Sequence, residues 1–327
     1  MAKETVEARK RRRHENLTGY LYIGPAAIIL AVFSIFPVCY AVYVSLFNWR
    51  LRQGEFVGLD NYVRALTADP KFGQSLVSTV WYVVGTVPVS IGLGLVIANL
   101  LAQKVRGRAV YRTIYFLPYI TSVVAAAAVW LWILYPAPND WGLANAVMKK
   151  VGLPAQGWVE EETGVFQLVA QHFGGSLPDW MGGPSLALVC VMAFSVWQSL
   201  GFDVVVLLAA LTNVPKEIYE AAAIDGATGW QRLRYVTVPL ISPTLYFLSI
   251  VSVIRAFRVF NHVYILASKE ASGSANTVTV YIFNAFYGEG GQSVRVGYGS
   301  ALAMILFVII LLVTLVQMRV IGTRVHY

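Results

Sequence analysis

Four ionisable side chains stand inside stretches that are otherwise apolar: Asp203, Arg255, Arg258 and His262. If those stretches cross a bilayer, holding a charge there is expensive, and each such residue becomes a functional candidate. Arg255, Arg258 and His262 are spaced i, i+3, i+7, which places them on one face of a helix. A guanidinium and an imidazole on that face offer hydrogen bonds to the hydroxyls, carboxylate or phosphate of a polar solute. Asp203 is at the same time the obvious internal counter-charge, so a structural ion pair with Arg255 stands beside solute binding as an equal reading.

A second constellation is the stretch EAAAIDGATGWQRLRYVTVPL, Glu220 to Leu240, between two long apolar runs. Val214-Pro215-Lys216-Glu217 has the pattern of a helix start, with Glu217 and Glu220 near the positive end of the helix dipole. Ala221, Ala222 and Ala223 propagate a helix with little side-chain bulk. Gly226 and Gly229 permit a sharp turn, after which Trp230, Leu233, Tyr235 and Val236 form the apolar side of a second short helix before Pro239. The expected product, over 214–239, is a helix-turn-helix knob whose small residues fit a groove of another protein, where Glu220 and Asp225 can pair with arginines. A solvated amphipathic loop satisfies the same pattern.

Other chemistries find no residues. The chain has no G-x-x-x-x-G-K-[ST] phosphate loop, no H-E-x-x-H helix and no G-x-S-x-G elbow. Its four histidines, His14, His172, His262 and His326, are scattered, and its two cysteines, Cys39 and Cys190, both lie in apolar runs. Neither a metal cluster nor a disulfide framework is expected. An enzyme reading has no constellation to hold, so any uphill movement of a solute must draw on an ion gradient or on a separate subunit.

The elements that would position these residues follow from composition. The 327 residues are 57% hydrophobic and 13% charged, outside the range of soluble domains. Six apolar runs are long enough to cross a bilayer as helices: Leu21 to Leu46, Leu76 to Leu101, Thr113 to Tyr135, Leu186 to Leu211, Leu240 to about His262, and Gly297 to about Met318. The first is too long for the core of a cleaved signal peptide and reads as a retained span. Pro25, Pro37, Pro88, Pro118 and Pro243 inside these runs predict kinked, mutually packed helices. Fifteen of the 25 Lys and Arg fall on the side of the N-terminal tail and the knob, eight on the other side and two within the fifth run. By the positive-inside bias both termini and the knob face the cytoplasm. The net charge of +8 includes a run from Arg9 to Arg13 just before the first span, an orienting signature rather than a nucleic-acid site. The outer loop 136–185 is too long for a bare connector, and Val165, Phe166, Leu168, Val169 and Phe173 recur in it at helical spacing. A packed cap is the simpler reading of that segment and a docking platform the sharper one. The expected architecture is an all-α integral membrane protein: a basic tail 1–20, a six-span domain 21–318 and a short tail 319–327.

Glu220-Ala221-Ala222, three residues, Gly226, nine residues and Val236-Thr237-Val238-Pro239 resemble the signature loop of permease subunits of binding-protein-dependent ABC importers. Phe56-Val57-Gly58-Leu59-Asp60-Asn61-Tyr62, Phe116-Leu117-Pro118 and Ala256-Phe257-Arg258-Val259-Phe260-Asn261 are similar to its sugar-type branch, the maltose and glycerol-phosphate permease-like family. The resemblance covers nearly the whole chain from about Thr18. Two valines replace the family's commoner Ile and Leu before Pro239, Asn261 stands where relatives often have Asp, and the usual Gly-Gly-Pro is absent from Ser268-Lys269-Glu270-Ala271.

The resemblance implies a prokaryotic plasma-membrane permease that is not itself an enzyme and holds no cofactor. It pairs with a second permease, an ATPase dimer that binds ATP and Mg, and an external solute-binding protein, to carry a carbohydrate or related polyol. It makes Glu220, Ala221, Ala222, Asp225, Gly226 and Pro239 the ATPase-coupling residues, and Leu200, Gly201, Val204, Arg255, Val259 and His262 the substrate pathway. A gradient-driven secondary transporter is the alternative, for which paired repeats and midplane carboxylates are expected. The chain shows one such carboxylate, Asp203, and no repeat.

Overall fold

A computed structural model of the chain describes residues 6–103, 107–135, 142–152, 154–178, 181–267, 275–288 and 293–320, with side chains from 18 onward except at 108. The stretch 268–271 and most of the tail 319–327 lie outside the described residues, as do the side chains of the basic tail. Among the described residues the chain is helical, with isolated bridges at Phe47–Phe56 and Gly164–Ser185 in place of a sheet.

The first expected span is one 28-residue helix, Thr18–Ser45. It is made of the later part of α1 (Val6–Leu30), a π-helical turn (Ala31–Ile35) and α2 (Phe36–Ser45). Pro37 has no N–H for the carbonyl of Phe33, and the widened turn absorbs the missing bond. The same device recurs at Leu233–Thr237, ahead of Pro239. The Phe56–Tyr62 stretch closes the far end of this span. Asn61 donates to the Ser45 and Phe47 carbonyls at 2.8 and 3.1 Å, and the Tyr62 hydroxyl meets the Ser45 hydroxyl at 2.6 Å. These bonds satisfy carbonyls that the end of α2 leaves open. A left-handed Gly58 (φ 57°) then turns the chain into α3 (Asp60–Thr67).

The centre of the fold is α4 (Pro70–Ala102) against α9 (Leu186–Thr212). Gly85 lies beside Met192, the Ser90 and Ser199 hydroxyl oxygens approach to 2.9 Å, and a Cβ on Gly94 would stand 3.0 Å from the Asp203 Cβ. The pairs advance together along both helices, so α4 and α9 run parallel. Small residues let the backbones approach, which drives packing where lipid is as apolar as the protein. Around this pair, Phe72, Leu188, Phe194, Val263, Leu266 and Leu302 form one apolar cluster, and Ala98, Val204, Leu207, Ile241 and Leu248 a second.

Two of the six expected spans are broken. Thr113 to Tyr135 is α5 (Arg108–Ile120) and α6 (Val123–Leu134), bent by 95° where Ser122 caps the second helix. The fifth ends earlier than its apolar run: α13 (Ser242–Phe257) stops at Arg258, and α14 (Asn261–Leu266) restarts after the break. The threonine hydroxyls of Thr277 and Thr279 bond the Val259 carbonyl that the break exposes. Helix α13 is also turned by 74° from the segment that leads into it. The fourth and sixth runs are continuous, the sixth as a helix over Val296–Val320. An apolar helix not expected from the sequence, Val278–Tyr287, precedes that last span and packs on it.

In the long loop between the third and fourth runs Val165–His172 is a helix, as the spacing predicts. Phe166 meets Trp81 of α4 edge-on at 6.3 Å, while Phe173 is 83% exposed. Buried Asn145 braces the loop, bonding the Gln156 backbone at both its polar atoms and the Trp158 ring N–H at 2.9 Å.

Candidate functional site: a polar cavity between broken helices

The break between α13 and α14 and the end of α5 face one cavity of about 350 Å³. From α4 come Tyr82, Thr86 and Ser90, one helical turn apart; from α9 come Ser195, Ser199 and Asp203, spaced the same way, with Gln198. Tyr119 enters from α5, one residue before its end. Arg255, Val259 and His262 enter from either side of the α13 break. Unwound backbone at membrane depth is tolerated where it lines a cavity, and it is where transporters place their cargo.

Two hydrogen-bond sets shape the walls. Tyr82 donates to the Ser195 hydroxyl at 2.7 Å, Ser195 donates to the Val191 carbonyl at 2.8 Å, and His262 Nε2 meets Ser195 at 2.6 Å and Tyr82 at 3.1 Å. The set closes with the His262 proton on Nε2, and it ties α4, α9 and α14 together. In the second set Ser90 donates to Asp203 and contacts Ser199 at 2.9 Å. Arg255 belongs to neither. No carboxylate of the described residues lies within 4.0 Å of it; its guanidinium rests 4.4 Å over the Phe202 ring, which stacks on Tyr119 at 5.3 Å.

The geometry corrects several expectations. The direct Asp203–Arg255 ion pair is not formed, because Asp203 is taken by Ser90 and Arg255 by Phe202. Arg258 does not share the face of Arg255 and His262, because the helix ends at Phe257 and leaves it exposed and away from the cavity lining. Leu200, Gly201 and Val204 do not line the cavity either. A Cβ on Gly201 would stand 2.9 Å from the Phe116 Cα, so this face of α9 packs on α5, and Leu200 and Val204 sit in the second apolar cluster. Arg255, Val259 and His262 do line it, His262 as a buried member of a hydrogen-bond set. The wall from α4 went unread in the sequence, although Tyr82, Thr86 and Ser90 repeat at i, i+4, i+8 within an apolar run.

At the opposite end of α9 the knob is formed as the pattern predicts. Helix α10 (Lys216–Ile224) carries Glu220, Ala221 and Ala222, with Glu220 exposed. It ends through Asp225 in a left-handed Gly226 (φ 76°), whose N–H bonds the Ala223 carbonyl at 3.1 Å. Gly229 is not part of the turn: it is the first residue of α11 (Gly229–Arg232), which Thr228 and Gln231 close as a capping box. Pro239 lies in the last short turn, Val238–Leu240, before α13. Ile224, Trp230 and Tyr235 are 87, 71 and 73% exposed, so the knob presents apolar surface outward.

Away from the knob, Asp69 ties three helices at one point. Its side chain caps α4 through the Lys71 and Phe72 N–H groups and accepts the hydroxyls of Tyr281 and Tyr298 at 2.6 and 2.5 Å. Burial pushes the carboxyl up, but the bonds from Tyr281, Tyr298, Phe72 and Lys71 outweigh it and hold the group below the ordinary carboxylate value.

Comparison with known proteins matches this architecture. Residues 90–326 match the family described as binding-protein-dependent transport system inner membrane component. The arabinooligosaccharides transport system permease protein AraP of Halalkalibacterium halodurans is 32% identical, over 94% of this chain and 89% of that one. The trehalose/maltose transport system permease protein MalF of Thermococcus litoralis is 31% identical, over 95% and 96%. The fold is shared, at a TM-score of 0.76 and 20% identity over 96% and 98% of the two chains, with a chain from the crystal structure of a bacterial ABC transporter involved in the import of the acidic polysaccharide alginate. The chain is a multi-pass membrane protein, and it belongs to the family of inner membrane components of binding-protein-dependent transport systems.

Proposed function

We propose that this chain is one of two permease subunits of an ATP-driven importer, and that with its partner it forms the path for a carbohydrate or related polyol handed over by an external solute-binding protein. The observation that carries the reading is the hydroxyl-rich cavity at the breaks of two spans, on the same helix, α9, whose far end leads into the exposed knob. The names of its relatives, which carry arabinooligosaccharides, trehalose and maltose, support the solute class.

ATP and Mg belong to a separate ATPase dimer. Glu220, Ala221, Ala222, Asp225, Gly226 and Pro239 dock on it, and Arg255, Val259 and His262 line the pathway. Closure of the ATPase dimer pushes the knob, and the push reaches the cavity because α9 supplies one wall of it and α13, entered directly from the knob, supplies another.

The test is co-purification of the complex and ATP-dependent uptake in proteoliposomes. Wild type should bring an ATPase with it. Glu220→Lys, which reverses a charge on the docking helix, should lose about tenfold or more of that association or of solute-stimulated hydrolysis. Uptake that proceeds without an ATPase, on an ion gradient alone, would overturn the reading.

A further inference from the structure

The serine and threonine hydroxyls of two cavity walls and the Arg255 guanidinium offer opposite hydrogen-bonding chemistry. On the α4 and α9 walls the hydroxyl protons are already spent: Thr86 donates to the Tyr82 carbonyl at 2.6 Å, Ser199 to the Ser195 carbonyl at 2.8 Å, Ser195 to Val191, and Ser90 to Asp203. What these side chains still offer the cavity is oxygen lone pairs, which accept hydrogen bonds from a polyhydroxylated body.

Arg255 is the opposite case. Its side chain is exposed to the cavity, has no hydrogen-bond or ion-pair partner among the described residues, and is held from one face by Phe202. The one carboxylate lining the cavity, Asp203, feels the Arg255 charge but is occupied by Ser90 and does not reach it. A guanidinium carries five donors and no acceptor, and a ring against its flat face leaves the edge free for a planar or tetrahedral oxyanion. Neutral hydroxyls are served by the lone-pair walls. An uncommitted, pre-oriented guanidinium is matched by a group that only accepts.

We propose that the cargo is an acidic carbohydrate, whose carboxylate or phosphate is bound by Arg255 while its hydroxyls donate to the α4 and α9 oxygens. This rests on the importer reading above and narrows its solute. Phe202 acts as the positioning residue: its ring lies against the guanidinium and sets the direction of its donors, and Tyr119 backs it by stacking on Phe202.

The test uses the whole complex, with partner permease, ATPase and cognate binding protein, in proteoliposomes. Two matched pairs of probes separate the two sources of the acid: a uronate disaccharide against its carboxyl-reduced counterpart, and a hexose phosphate against the hexose. The acidic member of one pair should be imported in preference to its neutral partner. In Arg255→Gln the acidic-to-neutral uptake ratio, normalised to assembled complex, should fall by about tenfold or more, with Arg255→Lys recovering part of it. Phe202→Leu should raise the KM for the acidic probe more than it lowers the maximal rate, because it frees the guanidinium without removing it. Import of neutral members only, import of neither pair, or an unchanged ratio in Arg255→Gln would overturn the proposal. So would failure of both Arg255 variants to assemble, which would make the residue structural. ATP-dependent import of a neutral sugar by a complex that retains its ATPase would leave the importer reading standing while removing this one.

Discussion

Gly201 is the position where the smallest change should have the largest effect. It lies in α9 where α5 crosses closely, and an added methyl would stand 2.9 Å from the Phe116 Cα, 3.1 Å from the Tyr115 carbonyl carbon and closer still to the Tyr115 oxygen. Non-bonded carbons settle at about 3.5–4.0 Å, so α5 would have to withdraw by roughly 1 Å. The obstruction is backbone, which cannot swing aside as a side chain can. Overpacking of this kind costs about 1–3 kcal/mol, which lowers the ratio of folded to unfolded chain by about 5- to 150-fold. The displacement also moves Tyr119, because α5 carries it into the cavity and stacks it on Phe202. Gly201→Ala should therefore lower both the melting temperature of the purified complex and its uptake per assembled complex. Gly92→Ala is the control: it lies in α4 with nothing within 4 Å of the added carbon, and alanine is the better helix former. If Gly201→Ala melts and transports like Gly92→Ala, the close α5–α9 crossing is wrong.

Gly226 tests backbone conformation in place of space. Nothing lies within 4 Å of an added Cβ, but φ is +76°, which costs a β-branched residue about 1–2 kcal/mol. Gly226→Val should uncouple uptake from hydrolysis in an assembled complex, while Gly226→Asn, which tolerates the left-handed region, should keep most of the coupling; wild-type uptake in the valine variant would refute the turn. Asp69 tests the anchor at the start of α4. Its carboxyl is held below the ordinary value, so the charged form is preferred on folding, and its contribution is complete above about pH 4 and lost as pH falls through the depressed folded value. Asp69→Asn keeps the helix cap but loses the charged acceptor for Tyr281 and Tyr298, so stability at neutral pH should fall by about 1 kcal/mol or more and the loss on acidification below about pH 4 should flatten. An acid-melting profile identical to wild type would refute it.

Much of this protein is legible in the chain alone, because the signals are local. A run of apolar residues has a length, and the length decides whether it spans; the four continuous spans begin and end within three residues of their runs, except that the second starts six residues earlier, at Pro70. The knob is equally local: a helix start at Lys216, a left-handed glycine at 226 and a capping box at Thr228 are written in short-range chemistry. Which way a span faces is not local. Lipid and bundle interior are both apolar, so Leu200, Gly201 and Val204 carry no mark separating the α5 contact from the cavity. Ser195, Ser199 and Asp203 on the same helix do carry one, as a polar stripe.

The bends of 95° and 74° and the early end of α13 follow from contacts between distant segments. The carbonyl of Val259 can leave its helix only because Thr277 and Thr279 arrive to bond it. Arg255 and Asp203 look like an ion pair when their charges and apolar surroundings are all that is known. The tertiary structure separates them, giving Asp203 to Ser90 and Arg255 to Phe202, because the packing of α4, α5 and α9 sets which partner each side chain can reach.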